Sequence, residues 1–180
     1  MFRLGRDRRT RIVAAVMNGA DMTDTLQFLD LPLHPLVVHA VVVLLPLAVI
    51  ALVLSQFWGA ARRRLGLVTP LAALVVVILV PVTIAAGRSL ADLVGPLPTH
   101  ERYGVMLLPW SIGLLVVAVA QWAWFRWGSE RLRAGRRAPA ATAGTVLLGI
   151  AVIVVSVGSL IVLFLAGETG SRAVWSSVMP

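Results

Sequence analysis

Long uncharged apolar runs alternate along this chain with short charged segments. Leu36–Phe57, Leu67–Ala86, Val105–Trp124 and Thr145–Ala166 contain no Asp, Glu, Lys or Arg. As helices rising about 1.5 Å per residue, each is long enough to cross a hydrocarbon core of about 30 Å. Charge falls between the runs, at Arg62–Arg64, from Arg88 to Arg102 and from Arg126 to Arg137. A backbone in lipid must satisfy its own hydrogen bonds, so apolar segments of this length read as helices. The pattern predicts an all-α membrane protein. Residues 31–180 form a four-helix, up-down-up-down transmembrane bundle, preceded by a basic extension over residues 1–30 that is expected to be disordered or absent from the native protein.

Composition sharpens that picture by exclusion. The 180 residues are 59% apolar and 13% charged, which leaves room for one compact membrane domain and no second. Zero cysteines exclude disulfides, thiolate metal ligands and iron–sulfur clusters held by this chain. The net charge of +8 comes from loop arginines, with no basic stripe interleaved with aromatics, so nucleic acid is not an expected partner. The bilayer is.

Arginines in short loops orient membrane helices. The first connection holds Arg62, Arg63 and Arg64, and the third Arg126, Arg131, Arg133, Arg136 and Arg137. The second holds only Arg88 and Arg102, and the tail only Arg172. Both termini are therefore expected outside the cytoplasm. Arg3, Arg6, Arg8, Arg9 and Arg11 run against this count. Ile12–Met17 is too short for a span or a signal-peptide core. A translation start at Met22 or Met17 is one explanation, and a flexible or interfacial extension the other.

The prolines and small residues read mainly as packing features. Pro46 falls mid-span, and Gly149, Ser156, Gly158 and Ser159 let the fourth helix approach its neighbours. No internal repeat is evident beyond two helical hairpins, and the histidines are not duplicated between them.

Chemistry rests on three histidines, which all map to the outer face: His34 and His39 open the first span, and His100 precedes the third. Glu168 emerges on the same face. Neutral imidazole is a common metal ligand and a usual axial ligand of haem iron. Residues five apart on a helix differ by about 140° around its axis, so His34 and His39 share one ion only if His34 lies in a non-helical entry before Pro35. His39 shares a stripe with Val43, Pro46 and Ile50, which is expected to face the interior. The first and third spans are diagonal partners in a simple bundle, so His39 and His100 are the expected axial pair of a haem b. Arg88, Arg102 and Arg172 would then meet its propionates. Copper or zinc held by His34, His39, His100 and Glu168 is the alternative. In the plainer reading the histidines cap a helix, bond a carbonyl or sit in solvent, and no cofactor is bound.

Leu33-His34-Pro35-Leu36-Val37-Val38-His39, opening a four-span chain, resembles the signature of the bacterial membrane family catalogued as domain of unknown function 2231. The resemblance extends over roughly Leu31 to Trp175. It takes in Gly87 closing the second span, His100-Glu101 before the third, and Gly167-Glu168-Thr169-Gly170-Ser171 leading into Ala173-Val174-Trp175. Relatives often have histidine or aspartate in place of Glu168. The resemblance implies the bacterial cytoplasmic membrane, and His34, His39 and His100 as the family-matched site. Some relatives are joined to Rieske-type domains, which implies a respiratory or redox partner.

The functions weighed are a haem-binding redox protein or respiratory accessory, and a structural or assembly subunit. A transporter is disfavoured because the spans lack charged residues, and no hydrolase or transferase motif occurs. Reporter fusions at Arg63 and Arg136 should read cytoplasmic, and one after Pro180 external. The reverse pattern contradicts the orientation.

Overall fold

The computed structural model describes residues 27–28, 31–94, 97–128 and 138–175. Gln27–Phe28 pairs antiparallel with Leu31–Pro32, a two-residue ladder leading into the first helix. The rest is helical: α1 Leu33–Phe57, α2 Gly59–Leu65, α3 Val68–Val94, α4 Pro98–Ala123 and α5 Ala138–Trp175. A π-helical turn, Trp124–Gly128, prolongs α4. Four helices, α1, α3, α4 and α5, are long and apolar enough to cross a membrane. The leader arginines, Gly95-Pro96 and the loop from Glu130 to Arg137 lie outside the described residues.

All four expected spans fall inside these helices apart from the first residue of the second, Leu67, and the last of the third, Trp124, which opens the π-helical turn, but the helices overrun them. Helix α3 continues past Arg88 to Val94, α4 starts at Pro98, and α5 continues through Glu168 and Arg172 to Trp175. His100 therefore belongs to the first turn of a helix, and Glu168 to a helix interior. Hydropathy marks where the bilayer ends, whereas intrahelical hydrogen bonding carries on into the headgroup layer and beyond.

Around the bundle the order is α1, α3, α4, α5, with α1 packed on α3 and α5 and lying diagonally across from α4. Each helix turns inward a seam with alternating steps of four and three residues, the spacing that keeps one face on its neighbours. In α1 the seam reads His34, Val38, Val41, Leu45, Ala48, Leu52, Ser55; in α4 it reads His100, Gly104, Leu107, Ser111, Leu114, Ala118, Gln121. Leu45, Leu52, Val76, Leu114 and Val152 are fully enclosed at its centre. Outward positions such as Ile50, Val116 and Phe164 stay exposed, as lipid-facing side chains must. Lipid is as apolar as these side chains, so close packing and polar contacts hold the helices together, not the exclusion of water.

At one end of the bundle those polar contacts form a clasp. Gln121 on α4 donates from Nε2 to Gln56 Oε1 at 2.9 Å and to the Leu52 carbonyl at 3.1 Å. Gln56 Nε2 donates onward to the Thr145 carbonyl of α5 at 3.1 Å, and Trp124 Nε1 to Thr145 Oγ1 at 3.1 Å. Arg62 closes the end of α1 by donating to the Ser55 and Gln56 carbonyls, which have no helical N–H ahead of them, and it stacks on Phe125 at 3.3 Å. Gln121→Leu should lower the unfolding free energy in detergent by on the order of 1 kcal/mol, because it strips Gln56 of its partner. An unchanged unfolding transition would contradict the clasp.

Candidate functional site

The opposite end of the bundle opens into a cavity of about 490 Å³ with contributions from all four long helices. Its walls are largely apolar, from residues such as Val80, Ile84, Leu107 and Leu163, and two imidazoles project among them. His34 is the second residue of α1 and lies on its inward seam. Its Nδ1 donates across to the Thr83 carbonyl of α3 at 3.1 Å. His100, in the first turn of α4, donates from Nδ1 to the Ala166 carbonyl of α5 at 2.9 Å. A carbonyl oxygen only accepts, so each Nδ1 carries a proton, and in the neutral ring that leaves the lone pair on Nε2. Neither Nε2 has a hydrogen-bond partner among the described residues. The two rings face each other with centroids 6.2 Å apart and planes at 90°.

Both rings rest on glycine. A Cβ built on Gly87 would lie 3.0 Å from His34 Cε1, and one built on Gly170 would lie 3.0 Å from His100 Cε1. Each glycine lies one turn beyond the carbonyl its histidine bonds: Thr83 then Gly87, Ala166 then Gly170. The two hairpins, α1–α3 and α4–α5, thus build the same station twice. The expectation that the histidines are not duplicated is corrected. The duplication is one of position on the seam, with little identity in the residues between.

The expected pairing of His39 with His100 is corrected too. His39 bonds the Pro35 carbonyl of its own helix at 2.5 Å and is exposed at the lip of the cavity. Its stripe faces outward, with Val43 56% and Ile50 53% exposed. The 140° offset held, but it is His34 that points inward, and it bonds another helix instead of capping its own.

The arginines divide. Arg88 borders the cavity and pairs with Glu101 at 2.8 Å, both side chains exposed at the mouth. Arg172 pairs with Glu168 at 2.6 Å along α5, and neither borders the cavity; Arg102 is exposed and lies away from it as well. Among the described residues no three His, Cys, Asp or Glu side chains approach closely enough to hold one ion. The set His34, His39, His100 and Glu168 is therefore not assembled in this structure.

Sequence reasoning missed Thr83 and Ala166, because their backbone oxygens do the work. It also missed the seating roles of Gly87 and Gly170. A signal existed. Stepping back by fours and threes from Gln121 lands on His100, and the same steps back from Ser55 land on His34. Because its ion pair is exposed, Glu101→Gln should shift stability by less than about 1 kcal/mol, as read by detergent unfolding. A larger loss would mean that the pair holds the mouth together.

A family described as "Predicted membrane protein (DUF2231)" matches residues 30–179. No curated protein and no solved structure matches the chain.

Proposed function

The chain belongs to the DUF2231 family of predicted membrane proteins, and we propose that within it this protein is a haem b-binding redox protein or respiratory accessory with His34 and His100 as the ligand pair. One observation carries the reading. Two imidazoles on diagonal helices, each with Nδ1 tied to a helix carbonyl and Nε2 without a partner among the described residues, face each other in an apolar cavity. A carbonyl on Nδ1–H is the usual support of a metal-ligating histidine, because it sets the tautomer and raises the basicity of Nε2.

Size and spacing fit as well. Two imidazole nitrogens on opposite sides of one metal, at about 2 Å each, put ring centroids about 6 Å apart; here they are 6.2 Å apart. The 490 Å³ cavity falls within the range of cofactor pockets. A bound haem would supply one-electron transfer. The chain's own part is to hold both rings rigidly, to keep the walls dry, and to offer Arg88 at the mouth to an anionic edge of the ligand. That requires Arg88 to loosen its hold on Glu101. The loop arginines support placing the Arg62–Arg64 end in the cytoplasm and the histidine end outside, where an extracytoplasmic electron-transfer partner would meet it.

A structural or assembly role is the second reading, favoured by the same two bonds. Each histidine joins the helices of its own hairpin whether or not anything is bound. The absorption spectrum of the detergent-purified protein separates the two. The haem reading expects a Soret band, lost in His34→Ala and in His100→Ala and retained in His39→Ala. A featureless visible spectrum from cells supplied with haem precursor, with no metal bound, leaves the structural role. Copper or zinc in stoichiometric amount without a Soret band would move the same nitrogens to an ion site.

A further inference from the structure

The floor beneath the two histidines points further than the cavity's other polar groups, the clasp, the lipid-facing surfaces or the hydroxyls of Ser156 and Ser159, which have no partner among the described residues. We infer that Gly87 and Gly170 are paired positioning residues, each fixing the rotation and tautomer of one imidazole. The inference rests on the reading of His34 and His100 as ligands, and names what aims them.

A histidine ring bonded through Nδ1 to a helix carbonyl lies alongside that helix, over the next turn. The residue four beyond the carbonyl then decides how close the ring can come. At Gly87 the ring has Cε1 at 3.0 Å and Nδ1 at 3.2 Å from where a Cβ would be; at Gly170 the same atoms lie at 3.0 and 3.1 Å. In both cases Nε2 is farther off, at 3.8 Å. The ring edge pressed to the glycine is thus the Nδ1–Cε1 edge, and Nε2 is the nitrogen left clear.

A methyl group at either position meets the ring at a separation that few real contacts show, so the ring must tilt or withdraw. Its Nδ1–H bond, 3.1 Å for His34 and 2.9 Å for His100, is then lengthened and bent, which weakens its hold on the tautomer. Without that bond nothing selects the tautomer. Alanine is the better helix former of the two, so a defect in these variants cannot come from weakened helix propensity. The symmetry makes a further demand. Gly87 acts on His34 alone, and Gly170 on His100 alone.

The chain has only three histidines, which makes the test tractable. Full-length protein is labelled with ring-¹⁵N histidine, purified in detergent from cells starved of haem precursor, and studied by long-range ¹H–¹⁵N spectra. Wild type should show three Nδ1–H imidazoles, since His39 also bonds a carbonyl through Nδ1, and those of His34 and His100 are assigned by His34→Gln and His100→Gln. Gly87→Ala should shift His34 away from the Nδ1–H form while leaving His100 unshifted, and Gly170→Ala should do the reverse. Gly113→Ala, whose Cβ meets only Val155 at an ordinary 3.6 Å, should alter neither. Both histidines staying unshifted in the two alanine variants would overturn the inference, as would a shift of both in either one.

If Gly87→Ala proves too unstable for spectra, its thermal midpoint decides. The destabilisation should largely vanish in a His34→Ala background, where the clashing ring is gone; equal damage in both backgrounds overturns the inference. These readouts need no cofactor, so a missing Soret band with intact tautomer shifts defeats the haem reading alone. A Soret band with unshifted tautomers defeats this inference alone.

Discussion

Water does not reach the middle of a bilayer, so a large polar side chain carried into the bundle needs its partner on another helix or on its own. That constraint explains where this protein places its polar groups. On the inward seams of α1 and α4 they collect at the two ends, histidine at one and glutamine at the other, with apolar and small residues between. At the clasp end Gln56 and Gln121 bond each other across the diagonal. At the cavity end His34 and His100 are aimed at each other but bond sideways, to α3 and α5. The difference matters. Side chains bonded to each other close a bundle, whereas side chains bonded outward leave a space between them, and that space is the cavity.

The two hairpins solve this problem in the same way. Each odd span opens with an inward histidine, and each even span supplies a carbonyl followed one turn later by a glycine. Direct repetition of sequence is not needed for this, because only the backbone oxygen and the missing Cβ are used. Thr83 and Ala166 share no side-chain chemistry, yet they occupy equivalent places. The result is two equivalent histidine stations, one in each hairpin, on either side of the cavity.

Much of the fold was legible because one physical quantity dominates it. Uncharged runs of spanning length leave few alternatives, and the diagonal relation of the first and third spans follows from short connections. The helix ends were not legible, because Arg88, Glu168 and Arg172 mark the edge of the bilayer without breaking the helix. The common face of the histidines could be read, but which one points inward could not. The stripe through Val43, Pro46 and Ile50 is as apolar as the true seam, and in a membrane an apolar stripe faces lipid as readily as core. The informative positions were the polar ones. Gln121, and Ser55 with Gln56, have to face inward, and the fours-and-threes spacing that leads back from them passes through His100 and His34. Backbone carbonyls as hydrogen-bond partners leave no trace in side-chain identity at all.

The facing, perpendicular imidazole pair is the central claim, and electron paramagnetic resonance of the oxidised, haem-loaded protein tests it most directly. The ring planes stand at 90°, and two axial imidazoles at right angles give a low-spin ferric signal of large axial anisotropy. The account predicts that signal in wild type and in His39→Ala, and its loss in His34→Ala and His100→Ala. A rhombic low-spin signal, which marks parallel imidazole planes, or a high-spin signal from a single axial histidine would contradict it.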